Sequence, residues 1–298
     1  MRRLRLGTRA SRLALIQSEL VAARLRSLGA DVELVEVVTE GDLRPGGMSA
    51  GEGVFVAALE QQLAEGHVDL AVHSAKDVPL RLHPDLLIGA YPERADARDV
   101  LVTRSGGGSL ESLASGSVVG TDSPRRAGFV LNLRPDLRHR PLHGNVDTRL
   151  RKLDGGEADA LVLAAAGLER LGSTARIDAR LDAALVPPAP GQGALAVQCR
   201  AADSKVRELL ARIDRADVRL AVNAERWVLE ATGGTCRSPV GALAAVSDGR
   251  LRLLAGAAAP DGSARHTVAL ESAATEEAGA RLAGQAAAEL LRHVALPV

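Results

Sequence analysis

Aromatic side chains are almost missing from this chain of 298 residues, which has one Trp, one Tyr and two Phe. Single-stranded nucleic acid is usually held by stacking bases on aromatic rings, so this composition argues against such an interface. Net charge is missing as well. Lys plus Arg and Asp plus Glu number 37 each, so no whole-molecule field draws in a polyanion, and any anion site must come from local placement of charge. Only two cysteines occur, Cys199 and Cys236, and they are far apart. No disulfide framework and no Cys-x-x-Cys zinc motif can be built from them, which points to a reducing, cytoplasmic setting and no structural metal. Long apolar runs are absent: stretches such as Ala160–Gly167 fall far short of the roughly 20 residues of a membrane span. The opening Met1-Arg2-Arg3-Leu4-Arg5-Leu6 alternates where a signal peptide would need an apolar stretch. The expectation is a cytoplasmic protein that binds neither membrane nor nucleic acid. With no net charge and no aromatic patch to favour association, it is expected to be a monomer.

Apolar residues, at 46%, suffice for a sizeable core, which must be built from Leu, Val, Ala and Ile. The length suits two or three domains. The first part alternates strand and helix. A strand over Arg3–Leu6 is followed by the turn Gly7-Thr8-Arg9-Ala10-Ser11. A helix with Leu13, Ile16 and Leu20 on one face then runs to about Leu28, and a strand over Val32–Val38 follows. The glycine-rich Gly41–Gly53 reads as a mobile loop. A helix carrying Phe55, Leu59 and Leu63 precedes the strand Val68–Val72, which ends in His73-Ser74-Ala75-Lys76-Asp77-Val78-Pro79. The pattern restarts at Ser117–Val119 with Gly120-Thr121-Asp122-Ser123-Pro124-Arg125-Arg126 and continues through Gly144–Arg149 and Leu161–Ala165. Such alternation predicts an α/β fold of two lobes with mixed, mostly parallel sheets, and places a ligand cleft between them. Beyond Pro187-Pro188 the style changes. A helix over Val218–Ala231 leads to short strands separated by Ser247-Asp248-Gly249 and Asp261-Gly262, and a last helix covers Thr275–Val294. This predicts a small α+β C-terminal domain with an antiparallel sheet. The expected domains are residues 1–92 with 194–211, residues 98–187, and residues 215–298.

Ser123-Pro124 is an ordinary helix start, but two arginines directly behind it are not. The positive end of the helix dipole disfavours cations there unless an anion joins them. A pair of solvated surface arginines is the plainer alternative. Arg9, Lys76, Arg149 and Arg170 also sit just after strands. Taken with Arg125 and Arg126, they make a set of cations suited to a ligand with several carboxylates, which arginine can grip with two parallel hydrogen bonds. Asp77 stands apart among them, either as a partner of Lys76 or cap, or as a carboxylate that binds ligand N–H groups and steadies developing positive charge. Cys236, after two glycines and before Arg237, has the setting of an accessible thiolate, whereas Cys199 closes an apolar strand and reads as buried and inert.

Taken in order, these segments resemble the porphobilinogen deaminase (hydroxymethylbilane synthase) family. The matching stretches are Gly7–Ser11, His73–Pro79, Gly120–Arg126, Gly144–Leu150, Ala165–Leu168, Pro190–Ala194 and Cys236-Arg237-Ser238-Pro239-Val240-Gly241. The resemblance implies two lobes like those of periplasmic binding proteins and a third domain carrying the cysteine. It implies a transferase of tetrapyrrole biosynthesis. On a dipyrromethane cofactor bound to Cys236 through a thioether, four porphobilinogen units would be deaminated and joined head to tail, then released as hydroxymethylbilane. By residue match, Lys76, Asp77, Ser123, Arg125 and Arg126 would bind the cofactor. Arg9, Ser11, His143, Arg149 and Arg170 would serve the substrate and growing chain, and Asp77 would be catalytic. The Gly41–Gly53 segment would be a lid and Phe55 a cleft-side phenylalanine.

The sequence departs from the family pattern at four points, each making the site less positive. His143 stands where an arginine is usual, Glu52 and Glu40 where basic residues are common, and Asp122 where a small residue is common. A neutral imidazole donates one hydrogen bond rather than a two-pronged clamp. Two other functions compete with the deaminase: a non-catalytic two-lobed binding protein for a small polycarboxylate, and a nucleic-acid module built on the arginine pair.

Overall fold

The computed structural model describes residues 3–37, 54–235 and 237–296. The chain divides into two units, Met1–Ala95 with Ala194–Arg219, and Asp96–Gly193 with Leu220–Val298.

In the first unit, the alternation at the start of the sequence becomes strand β1 (Leu4–Thr8), helix α1 (Arg12–Ser27), strand β2 (Val32–Glu36), helix α2 (Val54–Ala64), and strands β3 (Leu70–Ser74) and β4 (Leu86–Ala90). Strand β10 (Leu195–Arg200) and helix α6 (Ser204–Ala211) return to it. The sheet order is β2-β1-β3-β10-β4. Strand β1 pairs in parallel with β2 and β3, while β10 enters antiparallel between β3 and β4, with Val72 opposite Val197. The sheet is therefore half parallel and half antiparallel, because the returning strand runs against the others. Leu6, Leu25, Leu70 and Leu210 are fully buried in its core.

Helix α1 does not turn the expected face inward. Leu20 is 44% exposed, and the buried residues are Gln17, Ser18, Val21, Ala22 and Leu25. The buried Gln17 is satisfied by donating from Nε2 to Ser74 Oγ at 3.0 Å. A polar residue thus lies on the core face because the end of β3 supplies its partner. Asp69 ties three strands together. It accepts from the Arg5 backbone N at 2.9 Å, from the Arg5 guanidinium, and from Arg200 Nη2 at 3.0 Å. Burial raises its carboxyl pKa, but the hydrogen bonds from Arg5 and Arg200 outweigh this and leave it below the usual carboxylate range.

The second unit repeats the scheme. Strand β5 (Asp99–Thr103) is buried along its length. Strand β6 (Val118–Gly120), helix α3 (Pro124–Leu133), strand β7 (Arg138–Arg140), helix α4 (Val146–Asp154), strand β8 (Ala160–Ala164), helix α5 (Ala165–Arg170) and strand β9 (Ala179–Arg180) follow. The order β7-β6-β8-β5-β9 places the parallel strands β7, β6 and β8 beside β5, which runs against them and pairs antiparallel with both β8 and β9.

The rest of this unit is the antiparallel sheet β11 (Val240–Ser247), β12 (Arg250–Ala258) and β13 (Arg265–Ala273) with helix α8 (Glu276–His293) packed on it; helix α7 (Ala216–Ala231) precedes it. The Asp248-Gly249 signal is realised as a two-residue hairpin with φ of 51° and 69°, the left-handed pair that matches strand twist. Helix α8 buries Ala278, Leu282, Ala283, Ala286, Ala287 and Leu290 along one stripe. The two sheets of this unit share a core through Phe129 and Ala258. Gly241 lets β11 lie against the chain at Pro187, since a Cβ there would sit 2.3 Å from the Pro187 carbonyl oxygen. The layout of two mixed-sheet lobes and an antiparallel C-terminal sheet is the expected one.

Candidate functional site

In the first unit, β1 and β3 are parallel neighbours, so the segments that follow them leave the same edge of the sheet. Arg9 and Ser11 follow β1, and Lys76 and Asp77 follow β3. Ser11 is the N-cap of α1, its Oγ accepting from Ala14 N at 3.3 Å. Ala75–Asp77 form a 3₁₀ turn in which Lys76 is half-buried and Asp77 is exposed. Among the described residues Asp77 makes no ion pair with Lys76 and caps no helix. A carboxylate held out at a strand end with no partner among the described residues is available to a ligand.

Behind Asp77 the sheet is polar but fully satisfied. His73 is buried, and its Nε2 lies 3.1 Å from Gln198 Oε1. The Gln198 amide donates in turn to Glu60 Oε1 at 2.7 Å, which fixes the amide orientation, so His73 must be the donor to Gln198. Burial pushes the His73 pKa down to about 4, so the ring stays neutral near pH 7. Cys199 is fully buried and its thiol is pushed up to about 11 by burial, the inert residue that was expected.

In the second unit, Ser123 caps α3, its Oγ accepting from Arg126 N at 3.4 Å. Arg125 and Arg126 are not solvated: their side chains are 3% and 6% exposed. Both point at Asp99, which opens the buried strand β5. Arg125 Nη1 donates to Asp99 Oδ2 at 2.8 Å and to the Pro187 carbonyl at 2.6 Å. Arg126 donates to Asp99 Oδ1 from Nε at 3.0 Å and Nη2 at 2.8 Å, and Gln192 Nε2 donates to the same oxygen at 2.9 Å. Burial alone would raise the Asp99 pKa, but the two adjacent guanidinium charges hold it far below the usual carboxylate range. Two arginines against one carboxylate leave one positive charge in excess.

The segments after β6 and β7 meet at Asp122. Its Oδ2 lies 2.8 Å from His143 Nδ1 and 3.2 Å from Arg149 Nη2. Asn145 caps α4, accepting from Thr148 N at 2.9 Å, and this places Arg149 one turn in. Arg170, after β8, donates from Nη2 to the Gly193 carbonyl at 2.7 Å. The cations of this unit are thus gathered at the ends of the three parallel strands. Cys236, the Gly41–Gly53 segment with Glu40 and Glu52, and the Phe55 side chain lie outside the described residues. The flanks of Cys236 are pinned: Thr235 N donates to Ser238 Oγ at 2.8 Å, and Ser238 N to the Thr235 carbonyl at 3.0 Å.

Residues 4–208 match the family model "Porphobilinogen deaminase, dipyromethane cofactor binding domain", and residues 219–293 match "Porphobilinogen deaminase, C-terminal domain". A curated porphobilinogen deaminase of Acidothermus cellulolyticus is 46% identical over 97% of this chain and 88% of its own. One of Brevibacillus brevis is 43% identical over 97% and 98%. The chain belongs to the porphobilinogen deaminase family. Solved structures that resemble it include an ABC transporter periplasmic substrate-binding protein from Coxiella burnetii. That chain is 14% identical, with 75% of this chain and 96% of that one covered, at a TM-score of 0.44.

Family membership brings a dipyrromethane cofactor, and the donor set of the second unit fits its carboxylates. The Arg125–Arg126–Asp99 group carries excess positive charge, and the buried Arg125 Nε has no hydrogen-bond partner among the described residues. Two of the departures from the family pattern, Asp122 and His143, turn out to touch each other.

Sequence reasoning missed Asp99, Gln192 and Glu225. Glu225, fully buried on α7, accepts from Gly191 N at 2.6 Å and Ala244 N at 2.7 Å. The signal for Asp99 was a lone acid opening the apolar run Val100-Leu101-Val102, which needs a buried cation as its partner. Gln192 lay within the matched stretch Pro190–Ala194 without a role being read for it, and Glu225 carried no comparable signal.

Proposed function

We infer that this chain is a porphobilinogen deaminase, a transferase that deaminates porphobilinogen and joins four units head to tail into hydroxymethylbilane. The observation that carries this is the match to both family domains across nearly the whole chain. The dipyrromethane primer supplies the nucleophilic end on which the chain is extended. Cys236 is the residue that anchors it. Lys76, Ser123, Arg125 and Arg126 neutralise its carboxylates, while Arg9, Ser11, His143, Arg149 and Arg170 hold those of incoming substrate and the growing chain. Asp77 accepts pyrrole N–H groups and steadies the positive charge that develops as ammonia leaves. The exposure of Asp77 and the excess positive charge beside Asp99 support these assignments. The three-domain division set out above goes with this reading. So do a cytoplasmic monomer and the absence of a nucleic-acid partner, in keeping with balanced charge and few aromatic residues. Among the described residues no helix is long and apolar enough to cross a membrane.

The test is an intact mass of the purified protein, followed by incubation with porphobilinogen. The expected result is added mass equal to two linked pyrrole units, absent from Cys236→Ser, with ammonia released on incubation. Unmodified mass together with inert protein would leave the polycarboxylate-binding alternative standing.

A further inference from the structure

Three residues that the deaminase reaction does not use come together on the C-terminal sheet and helix. His266 lies on β13; Glu289 and His293 lie four residues apart on α8, hence on one helix face. One donor atom from each lies within 4.8 Å of the other two. His266 Nε2 is 3.5 Å and His293 Nδ1 3.7 Å from the same carboxylate oxygen, Glu289 Oε1. The two rings stack at 4.0 Å with planes 9° apart. We propose that His266, Glu289 and His293 form a binding site for a divalent transition-metal ion of the zinc class, with water completing the coordination.

Four features support the site. Two imidazole nitrogens and one carboxylate oxygen form a borderline donor set suited to zinc. Glu289 is already oriented, because Arg292 Nη2 binds its Oε2 and leaves Oε1 for the histidines. His293 Nδ1 lies 2.9 Å from the Glu289 backbone carbonyl, which can only accept. The proton therefore sits on Nδ1 and Nε2 keeps its lone pair, the arrangement by which metal-binding histidines are usually held. The ligating atom is then Nε2, and the 3.7 Å of Nδ1 from Glu289 Oε1 marks the approach of the ring to the site, not a ligand separation. Finally, His266 and Glu289 are half-buried while His293 is exposed, so the site is open to an ion and to water. Ligands about 2.0–2.2 Å from a tetrahedral ion lie roughly 3.4 Å apart, so closure draws the three side chains together from their present spread of up to 4.8 Å. Near-parallel rings point their lone pairs along near-parallel lines, and rotation of one ring about its soft χ2 torsion makes them converge. His139 and His143, the two histidines that lie four residues apart, are already engaged by the Thr121 carbonyl at 2.7 Å and by Asp122 at 2.8 Å.

The test is calorimetric titration of ZnCl2 into the full-length enzyme carrying its cofactor, after dialysis against a chelator. One ion per chain is expected, with binding weakened roughly tenfold or more in His266→Ala, His293→Ala and Glu289→Gln. His83→Ala, at a half-buried histidine in the other unit, should bind as the parent does. Zinc should also raise the thermal midpoint of the parent and leave that of His293→Ala unmoved. Circular dichroism identifies any variant that fails to fold, in which case Glu289→Gln, the most conservative of the three, decides. No zinc binding by the parent, or binding that survives these substitutions, overturns the proposal.

Discussion

Replacing Asp99 by Asn tests whether the arginine pair behind Ser123 is held as the structure shows. The substitution keeps the shape of the side chain and removes its charge. With the amide oxygen at the Oδ1 position, the contacts from Arg126 and Gln192 survive, but the NH2 group then faces Arg125 Nη1 across what was a 2.8 Å hydrogen bond. Two guanidinium groups at 3% and 6% exposure lose the only counter-charge they share among the described residues. Breaking a buried ion pair by removing one partner costs about 3–5 kcal/mol. At roughly 2–4 °C per kcal/mol for a body of this size, the thermal midpoint should fall by about 10 °C. The assay is scanning calorimetry at pH 7. Glu271→Gln serves as a control: it breaks an exposed pair with Arg250 and should shift the midpoint by less than about 2 °C. Intact mass on the same samples separates lost stability from lost cofactor, which would itself lower the midpoint. A fully loaded Asp99→Asn protein melting within 2 °C of the parent would refute the argument that this network is dry and mutually dependent.

Asp77→Asn should keep the parent's thermal midpoint, because the side chain is exposed, while turnover falls by roughly a hundredfold or more; near-normal turnover would show that the charge is dispensable. Asp122→Asn relieves Arg149 and His143 of a competing carboxylate, so the KM for porphobilinogen should fall several-fold, and a rise would mean that Asp122 positions these two residues rather than competing for them. His73 brings acid sensitivity. Its folded pKa of about 4 lies below the ordinary value of 6.5, so the unfolded chain binds the extra proton first, and stability is fully present above pH 6.5 and lost as pH falls towards 4. The loss amounts to about 3 kcal/mol. Denaturant unfolding of His73→Gln should lack that dependence over this window, and an unchanged slope would remove His73 as its source.

The fold was legible wherever chain-local rules govern it. Ser123 caps the helix that follows it and Asp248-Gly249 makes the tight hairpin, because capping and turn geometry depend on a few neighbouring residues. Helix α1 was misread because its inward face carries Gln17 and Ser18, and what makes Gln17 tolerable there is Ser74, far away in sequence. The site was legible as residue types in order but not as contacts. Arg125 and Arg126 were identified as unusual, yet their neutralisation by Asp99 and their tie to Gln192 come from strand pairing that no local spacing encodes. Asp122 and His143, read as two separate losses of positive charge, are one interaction. The His266–Glu289–His293 group was invisible for the same reason: only β13 packing on α8 brings it together.

Glu225 bonds the turn at Gly191 and the strand at Ala244 with its two carboxylate oxygens. Two amides 53 residues apart in sequence therefore share a single protecting group. In hydrogen exchange they cannot open independently through this contact: an event that withdraws Glu225 exposes both. The turn that carries Gln192 and the sheet that follows the Cys236 loop should accordingly exchange on a common clock, as one cooperative unit joining the two sheets of this half of the molecule.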